Sequence, residues 1–238
     1  MLRYISLLFF AAMVYVNYLA NSLPINGKTT GQLSDAYPNL FVPAGITFLI
    51  WGIIYLLFAA YCVVQFLPES KEIAIKISWL VILSCVFNGL WILAWHYQKL
   101  PLSLLIMIGF LVSLIMINLQ LKDLPLGVLK ATFGIYLGWI CIATIANVTA
   151  LLVDAGWGGI GISHQAWTII MIAIGTFIVS LSVIRIDNPY IGLSVVWAFA
   201  GIIIKRSADY RSIVIAAALA IVIVGLVSIT GFLGKRLI

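Results

Sequence analysis

Three sets of side chains recur at helical spacing, and their types suit a binding site rather than a reaction centre. Thr47, Trp51, Tyr55 and Cys62 follow at steps of four, four and seven, with Phe48 and Phe58 beside them. Ser84, Asn88, Trp91 and Trp95 follow at four, three and four, and Tyr136, Trp139, Ala143 and Asn147 at three, four and four. If the stripes converge, they wall a cavity with an apolar, aromatic body and a few polar groups to orient a guest, the usual make-up of a small-molecule pocket. The other reading is packing, because aromatic stripes with an occasional amide also hold membrane helices to one another. Both readings stay open on the sequence.

Other chemistries lack their residues. Asp35, Glu69, Glu72, Asp123, Asp154, Asp187 and Asp209 fall in loops or at span ends, as do His96 and His164. Spans free of carboxylates speak against a proton-coupled pump, against a pair of catalytic acids and against a membrane metalloprotease, which needs His and Glu ligands together. No Ser/His/Asp set suggests itself. Cys62, Cys85 and Cys141 lie inside apolar runs at no metal-like spacing and read as small packing residues. No catalytic residue, metal site or required cofactor is expected.

The elements that must position these stripes are membrane spans. The 238 residues are 64% hydrophobic and 8% charged, a balance no soluble domain of this size sustains. Runs near the roughly 20 residues that cross a bilayer make the fold class all-α, a polytopic membrane helix bundle. Strand-like alternation, which a barrel needs, is missing. Spans are predicted near 4–20, 42–66, 77–95, 101–121, 130–153, 166–184, 189–204 and 212–233, about eight in all. The segment 189–204 is short, and crossing or re-entrant paths are both open to it. The first run, with Arg3 and apolar residues to Leu19, is read as a helix rather than a signal peptide, since Asn21-Ser22-Leu23-Pro24 makes a poor cleavage site.

The formal charge of +6 comes from 13 Lys and Arg scattered over loops and termini, which points to topology and not to nucleic acid. With a cytoplasmic N-terminus, Arg3, Lys71, Lys76, Lys122, Lys130, Arg185, Lys235 and Arg236 lie inside, against Lys28, Lys99, Lys205, Arg206 and Arg211 outside. The segment 21–42 is the longest external connection. Pro24, Gly27, Gly31 and Pro38 make a regular helix through it improbable, and it is either a lid or a tether. The loop 154–165 holds four glycines without the Lys and Ser/Thr of a phosphate-binding loop, so it is read as a flexible interfacial turn carrying Trp157. Trp79, Trp167 and Trp197 are read as anchors or core, and Trp95, beside His96 and Tyr97, also suits an interfacial anchor.

One group of motifs resembles a known family. Pro38-Asn39-Leu40-Phe41-Val42-Pro43, with Trp51 eight residues on and then Tyr55, is similar to the proline-rich entry and second helix of the translocator protein family, the tryptophan-rich sensory proteins (TspO/MBR). Phe87-Asn88 with Trp91 and the turn Tyr97-Gln98-Lys99 resembles the end of that family's third helix. Tyr136-Leu137-Gly138-Trp139 with Ala143 and Asn147 resembles its fifth. The resemblance covers about residues 4–153. It implies a five-helix bundle over residues 1–153, with 154–238 as an additional three-helix membrane segment. It also implies a first loop folded over a cavity, porphyrin, haem-like or sterol ligands, and a homodimer. By position, Pro43, Thr47, Trp51, Tyr55, Asn88, Trp91, Tyr136, Trp139, Ala143 and Asn147 would line or support that cavity. Leu40 stands where the family's loop commonly has Trp, and Val42 replaces the first residue of its Pro-Pro pair. Ala216 and Ala220 offer a small face by which the added helices could stand in for a dimer partner.

The expected function is therefore a membrane protein that binds a flat hydrophobic small molecule such as a porphyrin or sterol-like lipid, as sensor or carrier. The alternative is a permease, or a transporter's membrane subunit lacking its own ATPase. A tetrapyrrole-modifying enzyme and a purely structural membrane partner complete the field. The expected location is a bacterial plasma membrane, since no Arg-rich transit peptide is present.

Overall fold

A computed structural model describes residues 1–22 and 25–234. Pro24, Lys235 and Arg236, which enter the sequence argument above, lie outside the described residues. Those residues form nine α-helices: α1 (Leu2–Ser22), α2 (Thr30–Asp35), α3 (Ile50–Val64), α4 (Lys71–His96), α5 (Leu100–Gln120), α6 (Val128–Asp154), α7 (His164–Ile186), α8 (Tyr190–Arg206) and α9 (Arg211–Phe232). Seven segments are long and apolar enough to cross a membrane; α3 reaches that length with the 3₁₀ turn Gly45–Leu49 that leads into it. Leu8, Leu56, Val63, Leu105, Phe177 and Leu226 stand exposed on the outer surface. So much apolar surface suits lipid and not water. The protein is an integral membrane helix bundle.

Helix α4 packs on α1 and α5, α6 on α5, α3 and α8, and α9 on α7 and α8. The first connection differs from its expectation, because a short helix does form in it. Thr29 accepts from the Gln32 backbone N–H while the Gln32 side chain accepts from the Thr29 N–H, a reciprocal cap that starts α2. Helix α4 begins earlier than the predicted span, just after a 3₁₀ turn with Pro68 in its first position, where a proline lacks no needed donor.

Helix α8 has 17 residues, about 25 Å of rise against a hydrocarbon core of ~30 Å. It is unbroken and runs from one end of the bundle to the other. At its start Tyr190 packs edge-on against Phe232, and Pro189 lies against Gly231. At its far end Lys205 pairs with Asp35 at 2.8 Å, and Arg206 donates to the Asn39 and Leu40 carbonyls. The helix therefore has no turn back within it, although at 17 residues it is not among the seven segments long and apolar enough to cross.

Three glycines set how closely α8 is held. A Cβ at Gly138 of α6 would strike the Ile191 carbonyl and Ser194 of α8. One at Gly192 would strike Ser228 of α9, and one at Gly201 would strike Thr47 and Pro43. At the Gly201 contact the Ala44 N–H donates to the Gly201 carbonyl (3.0 Å) and Trp197 Nε1 to the Thr47 carbonyl (2.8 Å). Trp197 thus ties α8 to the entry of α3.

A polar knot closes the end of the bundle where α1 begins. Asn188 Nδ2 donates to Asn118 Oδ1 (2.8 Å) and to the Lys130 carbonyl (2.9 Å), and Asn118 Nδ2 donates to the Phe133 carbonyl. Lys130, the first residue of the predicted span 130–153, is buried in the first turn of α6. Its Nζ donates to the Lys122 and Asp187 carbonyls, where the C-terminal ends of α5 and α7 present partial negative charge.

Candidate functional site

Trp51 is the hub of the aromatic cluster. Its ring centroid lies 5.8 Å from Tyr55, 6.5 Å from Trp91, 6.0 Å from Tyr136 and 6.3 Å from Trp139. The cluster continues through Trp95, stacked on Trp91 at 6.1 Å, to Tyr37 of the first connection at 6.0 Å. Burial, with Asp154 adding to it, pushes the Tyr37 phenol up from its ordinary pKa, so it stays protonated at neutral pH.

Against this cluster lies a cavity of about 60 Å³. Of the ten residues expected from sequence, Pro43, Trp51, Trp91, Trp139, Ala143 and Asn147 line it. Tyr55 faces a larger neighbouring space instead, a groove of about 700 Å³ between α1 and α3. Thr30, Phe48 and Trp51 border both spaces. Thr47 is buried but turned to α8.

Asn88 and Tyr136 lie beneath the cavity as a hydrogen-bonded support. Asn17 Nδ2 donates to Asn88 Oδ1 (2.6 Å), Asn88 Nδ2 to the Tyr136 hydroxyl (2.9 Å), and that hydroxyl to the Met13 sulfur (3.6 Å). The chain stitches α1, α4 and α6 together directly under Trp51. Asn147 is held similarly: Ser103 Oγ donates to its Oδ1 at 3.1 Å, and its Nδ2 approaches Ser103 Oγ at 2.9 Å.

Other lining residues lie outside the ten carried over from the family. Trp95, placed on the α4 stripe but also suited to an anchor, is 6% exposed and forms part of the wall. Its step of four from Trp91 already carried the signal. Thr30, Ser34, Asn39 and Val42 close the cavity from the first connection, and no periodicity could have brought them there. Asn39 braces that connection, its Oδ1 accepting from the Phe41 and Val42 N–H groups. None of the lining residues titrates, so proton transfer has no agent in the cavity. Among the described residues no three His, Cys, Asp or Glu gather as a metal site would require.

A family model described as TSPO-like protein matches residues 3–230. The chain belongs to the TSPO-like family. The match runs through α7 and α8 and into α9, so those helices fall within the TSPO-like model, beyond the 4–153 over which the sequence motifs were visible. Neither the curated proteins nor the solved structures offer a match to this TSPO-like chain.

Proposed function

We propose that this chain is a ligand-binding membrane protein, a sensor or carrier, whose aromatic cavity takes a flat hydrophobic molecule that arrives from the bilayer. The observation that carries the reading is the sharing of Trp51 and Phe48 between the small cavity and the α1/α3 groove. Leu49 and Tyr18, on the groove's two sides, are both more than 60% exposed on the outer surface. A hydrophobic molecule in lipid would thus reach the aromatic cluster without crossing water.

The cavity alone is too small for a tetrapyrrole, since pockets for drug-sized molecules run to about 300–1,000 Å³. A porphyrin or haem would therefore need the Phe48–Trp51 partition to swing so that cavity and groove become one. A permease is less well supported. It needs a second opening, and the opposite end is closed by Arg3 donating to the Gln65 carbonyl (2.7 Å), by Phe10 stacked on Phe58 (4.5 Å) and by the Asn188 knot. We assign the closed end to the cytoplasm of a bacterial cell on the lysines and arginines gathered there.

The test is a titration of the purified protein with protoporphyrin and haem, followed by tryptophan quenching. Saturable quenching, weakened about tenfold or more in Trp51→Ala and Trp139→Ala, is the expected result. Unchanged affinity in both variants would remove the cavity from the function. Accumulation of a ligand in liposomes under a gradient would favour the permease.

A further inference from the structure

Among the described residues, nine buried side-chain polar atoms find no hydrogen-bond partner. Four of them belong to residues lining this one cavity: the indole N–H groups of Trp91, Trp95 and Trp139, and the hydroxyl of Thr30. The three indoles are 4–6% exposed. Buried N–H groups are rarely left without an acceptor, because each has given up water for nothing. Three unpaired donors on the walls of one cavity describe a site short of acceptors, which a ligand's oxygens can supply once side-chain shifts open a path to the sealed Nε1 atoms.

The two amide acceptors nearby are already committed. Asn147 Oδ1 takes the Ser103 hydroxyl, and Asn39 Oδ1 takes two backbone N–H groups. A ligand head therefore has three indole donors to satisfy, with the Thr30 and Ser34 hydroxyls as the other side-chain partners. Its charge is constrained too. No Lys, Arg or His lines the cavity, so a carboxylate seated there would be a buried anion without a countercharge, which is strongly unfavourable. A neutral carbonyl oxygen accepts from indole N–H groups with no such penalty.

Size sets a condition as well. At about 60 Å³ the cavity is smaller than the ~150 Å³ that holds a benzene ring, so a ring enters only when the Phe48–Trp51 partition swings and the cavity draws on the groove beside it. Beyond Trp51 and Phe48 the α1/α3 groove, of about 700 Å³, has the volume for an apolar chain, with Val14, Leu49 and Ile92 among its walls.

We propose that the cavity binds the neutral, carbonyl-bearing ring of a quinone-type lipid, its oxygens accepting from the Trp91, Trp95 and Trp139 indoles and its apolar chain lying in the α1/α3 groove. The proposal rests on the ligand-binding reading above and names the chemical class that this site takes.

The experiment uses full-length protein with 15N-labelled tryptophan in lipid nanodiscs, titrated with decylubiquinone and, in parallel, with decylbenzene, which has a ring and chain but no oxygen. Decylubiquinone is expected to shift three slowly exchanging indole N–H signals downfield, saturably. Trp91→Phe, Trp95→Phe and Trp139→Phe should each delete one of those signals and weaken decylubiquinone binding about three- to tenfold more than they weaken decylbenzene binding. If a variant fails to fold, the shifts in the unaltered protein still carry the test, since slow solvent exchange picks out the buried indoles. Equal affinity and equal shifts with decylbenzene would overturn the acceptor requirement while leaving an aromatic pocket in place. Unshifted indoles at saturating decylubiquinone would overturn the proposal outright. The ligand-binding reading would stand or fall separately on whether Trp51→Ala abolishes protoporphyrin quenching.

Discussion

Trp51 and Thr47 are four residues apart, and the fate of that pair explains what a stripe of residues can and cannot reveal. Within an α-helix a step of four returns to nearly the same face, about 40° away. The chain at Thr47 is still in the 3₁₀ turn Gly45–Leu49, where each residue advances about 120° and not 100°. The extra rotation turns Thr47 onto Gly201 of α8 while Trp51 meets Trp91 and Trp139. The stripes on α4 and α6 contain no such change of helix type, and Trp91, Trp95, Trp139, Ala143 and Asn147 reach one cavity as their spacing implies. Lower on those same stripes, Asn88 and Tyr136 do the bridging that the packing reading describes, so one stripe packs helices at one depth and walls a cavity at another. Tyr136→Phe removes the acceptor of Asn88 Nδ2 and leaves a buried donor unpaired. It is expected to cost about 1 kcal/mol, at the modest end because membrane amides find other partners. A thermal-melt comparison in detergent checks this, and no change in midpoint would mean that the hydroxyl is dispensable.

Helix α8 governs the first connection, and two substitutions separate how it does so. Gly201→Val would drive a branched side chain into Thr47 and Pro43, where backbone and ring have little room to yield. A loss of about 1–3 kcal/mol is expected, as for overpacked cores, together with faster hydrogen exchange over residues 39–47. Asp35→Asn removes only an ion pair whose carboxylate is largely exposed, and less than ~1 kcal/mol should be lost. If the two variants melt alike, the clasp is electrostatic and the close backbone approach is incidental. Most helices were legible because each is an apolar run bounded by charge, Pro or Gly. The α8 contacts were not, for a glycine in an apolar helix looks the same whether it faces lipid or a neighbouring backbone. The cap of α2, Thr29 with Gln32 three residues on, escaped the sequence reading, which rested on Pro24, Gly27, Gly31 and Pro38.

At the scale of the molecule, α7, α8 and α9 are packed into the bundle, with α8 on α6 and α9 on α7 and α8. Ala216 and Ala220 line a groove of about 450 Å³ between α9 and α7 within the same chain. The packing of α8 on both α6 and the entry of α3 means that truncation after Asp154 would uncover Gly138, Pro43 and Thr47 together. Such a truncated chain is expected to aggregate or to melt at least 10 °C below the full chain by fluorescence-detected size exclusion. A monodisperse fragment of unchanged stability would show that the first six helices are self-sufficient. The sequence could not reveal this dependence, since contacts between α8 and residues some 150 positions earlier leave no local pattern.

The α1/α3 groove also fixes the concentration scale on which occupancy depends. A site reached from between two lipid-facing helices equilibrates with the ligand dissolved in the bilayer, so its saturation follows moles of ligand per mole of lipid. Diluting the same vesicles with buffer would barely empty it. Adding empty vesicles would strip the ligand in proportion to their lipid, and an affinity quoted per litre of water would change with every preparation.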